Sequence, residues 1–273
     1  MFYREGSIFK SDLLNVRGVG HAFSTRDGGV STLPHTTSMN AAFGKGDDDD
    51  TVRENIKLLC EAAGISYTGI VGSAQHHTTF VRRVTADNAG EGIYKDNPST
   101  SDGFATDCPG VSLIVRTADC APILAVGLKA DGSPVVGAAH AGWKGTVGGI
   151  GENLVAALVS LGAVKETVRA AIGPCIGDCH FEVREDFIGA VASLRGEGFA
   201  SRHIKKRGES YFAGLASMNV EILEGAGIPR ERIDVCGLCT VCDPVTFHSH
   251  RATNGIRGTM GNVIGIAPRN KTF

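Results

Sequence analysis

Apolar positions change period several times along the chain. Within TVRENIKLLCEAAG (51–64), Val52, Ile56, Leu59, Cys60 and Ala63 recur at helical spacing, which predicts an amphipathic helix. The run Asp47-Asp48-Asp49-Asp50 directly precedes it. Acidic side chains there cap free N–H groups and oppose the positive end of the helix dipole. A calcium loop is not expected, because no Gly or bidentate Glu stands at loop spacing. Residues 87–105 are polar and carry Gly, Pro and Ser, which predicts a long surface loop. VSLIVR (111–116), PILAV (122–126) and PVVGAAHA (134–141) are short apolar runs with β-branched residues, broken by turn signals, and read as buried strands. GGIGENLVAALVSLG (148–162) places Ile150, Leu154, Leu158 and Leu161 on one face and closes on Gly162, so it reads as a helix. Further strands are expected at 167–173, 232–238 and 262–268, and further helices at 183–194 and 211–227. With no internal repeat and no Pro-rich or Ser-rich linker, residues 1–273 are expected to form a single α+β domain.

Composition narrows the function classes. The 27 basic and 29 acidic residues leave a net charge of -2, so no global basic field draws the chain to nucleic acid. No apolar run approaches the roughly 18 residues of a membrane span, and the start lacks the core of a secretory leader. A cytoplasmic setting is the expectation. There the eight cysteines read as core residues, metal ligands or nucleophiles rather than disulfides.

The candidate ligands cluster near strand ends. His76 and His77 follow the apolar GIVGSAQ, Cys120 lies in TADCAP between two strands, and His140 ends PVVGAAH. Adjacent strands could gather a His/His/Cys set, which suits zinc with one position open for water. HAGWKGTVGG (140–149) adds a Gly-rich turn before a helix start, where free N–H groups, Lys144 and Thr146 suit an anion. Near the end, Cys236, Cys239 and Cys242 show two-residue gaps that suit zinc or iron–sulfur ligation. A strand through Cys236 would turn 236 and 239 to opposite faces, so these three are expected to be free thiols that bind no metal. Cys175 and Cys179 in GPCIGDCHFE do not match a deaminase signature: their gap is three residues, and His180-Phe181-Glu182 follows them instead of preceding.

Taken in order, STRDGGVS (24–31), SAQHHTTFV (73–81), TADCAPIL (117–124), AAHAGWKGTVGGI (138–150), AAIGPCIGDCHFEV (170–183) and the CT…FHSHR tail (239–251) resemble the laccase-domain family. Members have been described as polyphenol oxidases, peptidoglycan-editing factors and purine nucleoside phosphorylases. The resemblance spans roughly residues 20–267. It implies four layers, α/β/β/α, with mixed sheets. It also implies one catalytic zinc on His77, Cys120 and His140. Here Gln75-His76-His77-Thr78 stands for the family's Gln-Val-His-Gly, so His76 is the alternative ligand and the turn at Thr78 departs from the pattern. The family's tail pair Gly-Arg is reversed, as Arg257-Gly258.

The resemblance implies an enzyme that cleaves adenosine, inosine, guanosine or methylthioadenosine with phosphate, and that deaminates adenosine at the same site. Arg26 and Lys144 are then candidate anion binders, and Asn40 and Gln75 candidate pocket hydrogen-bonders. The expected partners are nucleoside and phosphate, not nucleic acid or membrane. The alternatives are a peptidoglycan-editing amidase with Cys120 as nucleophile, a copper-binding polyphenol oxidase, and a non-catalytic metal-binding partner protein. Multicopper oxidation needs a blue copper site and a three-copper cluster, whereas the chain has nine His and a single His-x-His, at 248 and 250. Copper at the zinc ligands remains compatible with thiolate plus imidazole donors.

Overall fold

The computed structural model describes residues 1–96 and 100–268. The chain begins with strands β1 (Phe2–Glu5), β2 (Ile8–Ser11) and β3 (Val19–Ser24), then helix α1 (Asp49–Ala63). Short strands β4 (Ile70–Val71), β5 (Val81–Arg83) and β6 (Gly103–Thr106) precede the long apolar strands β7 (Ser112–Thr117), β8 (Ala121–Leu128) and β9 (Pro134–Ala141). Helices α2 (Trp143–Gly148) and α3 (Ile150–Ser160) follow, and then β10 (Arg169–Ile172), β11 (Glu182–Val183), α4 (Glu185–Arg195) and α5 (Glu197–His203). The chain continues through β12 (Ile204–Arg207), β13 (Ser210–Ala213), α6 (Leu215–Gly225) and β14 (Ile233–Val235) to β15 (Met260–Ile266).

Two six-stranded sheets form the centre, in the orders β1-β2-β3-β15-β7-β4 and β14-β10-β8-β9-β6-β5. Both are mixed: β4 pairs parallel with β7, β5 with β6 and β10 with β14, and the remaining ladders are antiparallel. The sheets pack face to face through Phe23, Phe104, Leu113, Leu124 and Ile264, all fully buried. Helix α1 covers the first sheet with Val52, Ile56, Leu59 and Cys60. Helix α3 covers the second with Ile150, Leu154 and Leu158. The expected α/β/β/α layering and α+β class are therefore present. A third sheet, β11-β13-β12, carries α4 and α5 at one end. Leu124 fills the space between the sheets, so Leu124→Ala should lower unfolding free energy by about 2–5 kcal/mol in a denaturant titration with an unchanged slope.

Several boundaries differ from the sequence pattern. Asp48 caps α1 by accepting from the Thr51 N–H at 2.8 Å, as the acidic run suggests. The expected helix over 148–162 is broken at Gly149, whose φ of 101° ends α2 before α3 begins. Tyr211 and Phe212 belong to β13, not to the following helix, because they pair with β11 and β12. β14 stops at Val235, so Cys236 lies just beyond it. The expected surface loop 87–105 is irregular over most of its described residues but differs at its end: Ser101 and Asp102 are fully buried and β6 begins at Gly103. Residues 97–99 of that loop lie outside the described residues. Among the described residues, no helix is long and apolar enough to cross a membrane.

Candidate metal centre and its cavity

Strands β8 and β9 pair antiparallel with Pro122 opposite His140, which sets Cys120 at the entrance of β8 beside the end of β9. The 73–80 segment lies across the same end and contributes His77. One donor atom each from His77, Cys120 and His140 falls within 4.8 Å of the others. The two imidazoles meet edge to face with ring centroids 4.9 Å apart. His76 is solvent-exposed and takes no part in the cluster, so of the two neighbouring histidines it is His77 whose ring joins Cys120 and His140.

Asp102 organises both histidines. Its fully buried carboxylate accepts from the backbone N–H groups of His76 (3.1 Å), His77 (3.0 Å) and Thr78 (2.8 Å) and from the Thr78 hydroxyl (2.8 Å). These bonds hold His77 at φ 59°, a left-handed conformation unusual for a residue with a Cβ. The same carboxylate accepts from His140 Nδ1 at 2.8 Å, which leaves Nε2 as the free ligand atom. Burial pushes the His140 imidazole down, but its hydrogen bonds to Asp102 and Cys120 outweigh that and raise its pKa to about 9. Burial acts on the Asp102 carboxyl upward, and the His140 and Thr78 hydrogen bonds hold it well below the usual carboxylate range. Burial, then the His140 charge, lowers the His77 pKa. Thr78, the departure from the family's Gly, is thus an extra donor to Asp102.

Asp119 precedes Cys120 with φ 90° and is held from three sides. Thr240 Oγ1 donates to Oδ1 at 2.6 Å, the Arg251 N–H donates to Oδ2 at 2.6 Å, and the Ile176 N–H donates to the Asp119 carbonyl at 2.8 Å. Gly142, the cap of α2, closes the cradle: a Cβ there would collide with the His77 ring and stand 3.1 Å from Cys120 Sγ. Two imidazoles and a thiolate, one imidazole oriented by a carboxylate, fit a borderline-soft divalent ion such as zinc.

The cluster opens into a cavity of about 730 Å³. Phe43, Trp143, Ile176, Phe181 and Leu215 give it apolar walls, and Lys45, Arg116, Arg251 and Arg257 its cations. Arg116 is committed to the carbonyls of Ala41, Ser73 and Gly92. Arg251 is committed to those of His180 and Glu182. Arg257 donates from one terminal nitrogen to the Gly258 carbonyl at 3.2 Å and to Thr259 Oγ1 at 2.8 Å, and keeps a buried Nε without a hydrogen-bond partner.

The other sequence candidates are distributed unevenly. Gln75 lines the cavity, but its amide is used on Arg116, donating to the carbonyl and accepting from the N–H, both at 2.7 Å. Asn40 is fully buried and fastens a loop, donating to Ala42 O and Asp47 Oδ2 and accepting from the Thr259 N–H. Arg26 points elsewhere, to the carbonyls of Thr37, Pro34 and Pro244. Lys144 is exposed on α2, a helix of only six residues, with its ammonium over the Trp143 ring instead of in the cavity lining. Neither Arg26 nor Lys144 lines the cavity, although the Lys144 charge acts on His77. His250 lines the cavity, whereas His248 is buried and donates from Nε2 to the Met39 carbonyl.

The sheet framework recurs in solved structures. The solved structure of a hypothetical protein, YfiH, from Bacillus licheniformis superposes with a TM-score of 0.87 at 31% identity, over 97% of this chain and 98% of that one. A Deinococcus radiodurans protein named purine nucleoside phosphorylase is 38% identical over 251 residues, 92% of this chain and 90% of its own. Bacillus subtilis YlmD, also named purine nucleoside phosphorylase, is 31% identical over 92% of this chain and 90% of its own. Residues 20–267 match the family described as multi-copper polyphenol oxidoreductase laccase, and the chain belongs to that family.

Proposed function

We propose that the chain is a zinc-dependent purine nucleoside phosphorylase, with His77, Cys120 and His140 as the metal ligands. The observation that carries this reading is the three-donor cluster at one wall of a cavity large enough for a nucleoside and a phosphate. The relatives named purine nucleoside phosphorylase support the same reaction class. In that reaction a phosphate oxygen bonds to C1′ of the ribose while the bond from C1′ to the purine nitrogen breaks, and the base leaves. Bound zinc would supply a local positive charge for substrate or water. The protein's own part is positional. Asp102 sets His140 Nε2 and the His77 backbone, the Asp119 contacts set Cys120, and the apolar walls take the purine. Adenosine deamination with water at the same site belongs to the same proposal.

Arg257 and Lys45 replace Arg26 and Lys144 as the phosphate contacts in this reading. Arg257 lines the cavity and leaves its Nε unpartnered, so its guanidinium has donor capacity to turn toward an anion there. Arg257→Ala should raise KM for phosphate about 10- to 150-fold, the equivalent of about 1.5–3 kcal/mol for a hydrogen bond to a charged group. An unchanged phosphate saturation curve would place the anion on Lys45 or elsewhere.

One observation favours a second reading. The closeness of His140 and Cys120, whose donor atoms lie within 4.8 Å, is the pairing a thiol nucleophile would need, as in an amidase. Metal analysis combined with a phosphate-dependent nucleoside assay separates the two. If zinc is the cofactor, Cys120→Ala should lower zinc content and turnover together. Loss of turnover with zinc retained would favour the nucleophile. Copper in place of zinc in protein from its native cells would revise the metal, and bound zinc without nucleoside turnover would favour a non-catalytic binding protein.

A further inference from the structure

The fold builds a second donor cluster that the nucleoside reading does not use. The turn after β10 brings Cys179 and His180 to Cys239 and Cys242, which lie beyond β14. Cys236 stays outside this group. His180 Nδ1 lies 3.3 Å from Cys179 Sγ, 3.4 Å from Cys242 Sγ and 3.8 Å from Cys239 Sγ. The thiols of Cys179 and Cys242 are 3.5 Å apart. Ligands at about 2.3 Å for sulfur and 2.0–2.1 Å for nitrogen around a tetrahedral ion lie about 3.5–3.8 Å from one another. The observed separations match those edges, with all four donor atoms within 4.8 Å.

Two backbone features support the same geometry. The Gly177 N–H donates to Cys239 Sγ at 3.2 Å, a bond that favours a thiolate. Gly177 also leaves room: a Cβ there would stand 3.0 Å from Cys179 Sγ and 3.1 Å from Cys239 Cβ. Beyond the strands the two segments are joined by a bridge between Cys175 and Cys239, with the Cys175 N–H on the Leu238 carbonyl and the Thr240 N–H on the Cys175 carbonyl.

We propose that Cys179, His180, Cys239 and Cys242 form a structural zinc site, separate from His77, Cys120 and His140. A Cys₃His set with every position filled by protein is the closed type of zinc site, which stabilises structure and leaves no position for substrate. The proposal replaces the expectation of free thiols at 239 and 242. The site's place in the fold gives it a task. One clipped segment carries Ile176 and Phe181, which line the cavity; the other carries Thr240. Ile176 and Thr240 both hold Asp119, next to Cys120, so the clip backs the cavity wall and fixes the approach to the first site.

The test is zinc counting on full-length protein, reconstituted with zinc and freed of excess. The unaltered protein should hold two zinc ions per chain. Cys179→Ser/Cys242→Ser should hold one, His77→Ala/Cys120→Ala one, and the combined variant none. In the His77→Ala/Cys120→Ala background, zinc should still raise the unfolding midpoint, a response that depends on the second site alone. Equal zinc in the unaltered and Cys179→Ser/Cys242→Ser proteins would overturn the proposal. If that variant fails to fold, alkylation of the unaltered protein decides. Zinc should protect Cys179, Cys239 and Cys242, and a chelator should expose them. Labelling indifferent to zinc, or a Cys179–Cys242 disulfide in protein purified without reductant, would also overturn it. Because the readout is stoichiometry and protection at these four residues, failure here leaves the nucleoside reading untouched.

Discussion

Gly142→Ala is expected to remove metal from the His77, Cys120 and His140 site and with it the phosphorolysis proposed there, while the protein stays folded. Gly142 has φ -65° and ψ 161°, a conformation any residue adopts, so the substitution costs nothing in the backbone. The cost is local. A Cβ would overlap the His77 ring and crowd Cys120 Sγ. His77 is solvent-exposed, so its ring can swing aside, and relief comes by losing a ligand instead of unfolding a strand. Loss of a direct ligand should exceed the roughly 10- to 100-fold drop in affinity typical of changes behind the ligands. Gly189→Ala in α4 is the control, since its Cβ would meet nothing within 4 Å. It should leave zinc unchanged and stabilise the helix by about 0.5–1 kcal/mol. A Gly142→Ala protein that retains full zinc at this site would remove His77 from the ligand set.

What could be read from the chain and what could not divide along physical lines. The long apolar strands and α1 announce themselves, because burial on one or both faces imposes a period on adjacent residues. The candidate ligands at 77, 120 and 140 stand inside dense motifs, the last two at strand ends, so their types and order are informative. Asp102 carries no such signal. It sits in a polar stretch with Gly, Pro and Ser that reads as surface, and its partners are 24 to 38 residues away in the chain. The same distance problem hides the second cluster: Cys179 and Cys242 are 63 residues apart and meet only through β10 and β14 pairing side by side. Arg26 and Asn40 mislead for the opposite reason. They lie in motif-bearing segments, but their polar groups satisfy the carbonyls and carboxylates of irregular loops. A buried loop must pair its backbone groups somewhere, and side chains that do so resemble site residues in sequence. Of the β12–β13 hairpin only residues 211–213 fall within the helix expected over 211–227, because Tyr211-Phe212 adjoins a true helical pattern, while IKKR has no apolar alternation to announce a strand.

Asp102→Asn should weaken metal binding at the first site by about 10- to 100-fold, and Asp102→Ala should in addition destabilise the fold by roughly 3–5 kcal/mol. The carboxylate is fully buried and accepts five hydrogen bonds, three of them from consecutive backbone N–H groups. Alanine leaves those donors facing a void, each unsatisfied buried group costing about 1–3 kcal/mol before relaxation. The sum is not additive, because the 76–78 turn can open once its anchor is gone. Opening releases His77 from φ 59°, so stability and metal affinity should fall together. Asparagine separates the two effects. It keeps the volume and one acceptor oxygen, but turns an NH₂ group toward neighbours that are themselves donors. If that NH₂ faces His140, Nδ1 must become the acceptor, the proton moves to Nε2, and the ring loses the free lone pair it would offer a metal. Zinc affinity by competition with a chelator, measured beside the unfolding midpoint, reads both quantities. An Asp102→Asn protein that binds zinc as tightly as the unaltered chain would show that this carboxylate does not set the His140 tautomer.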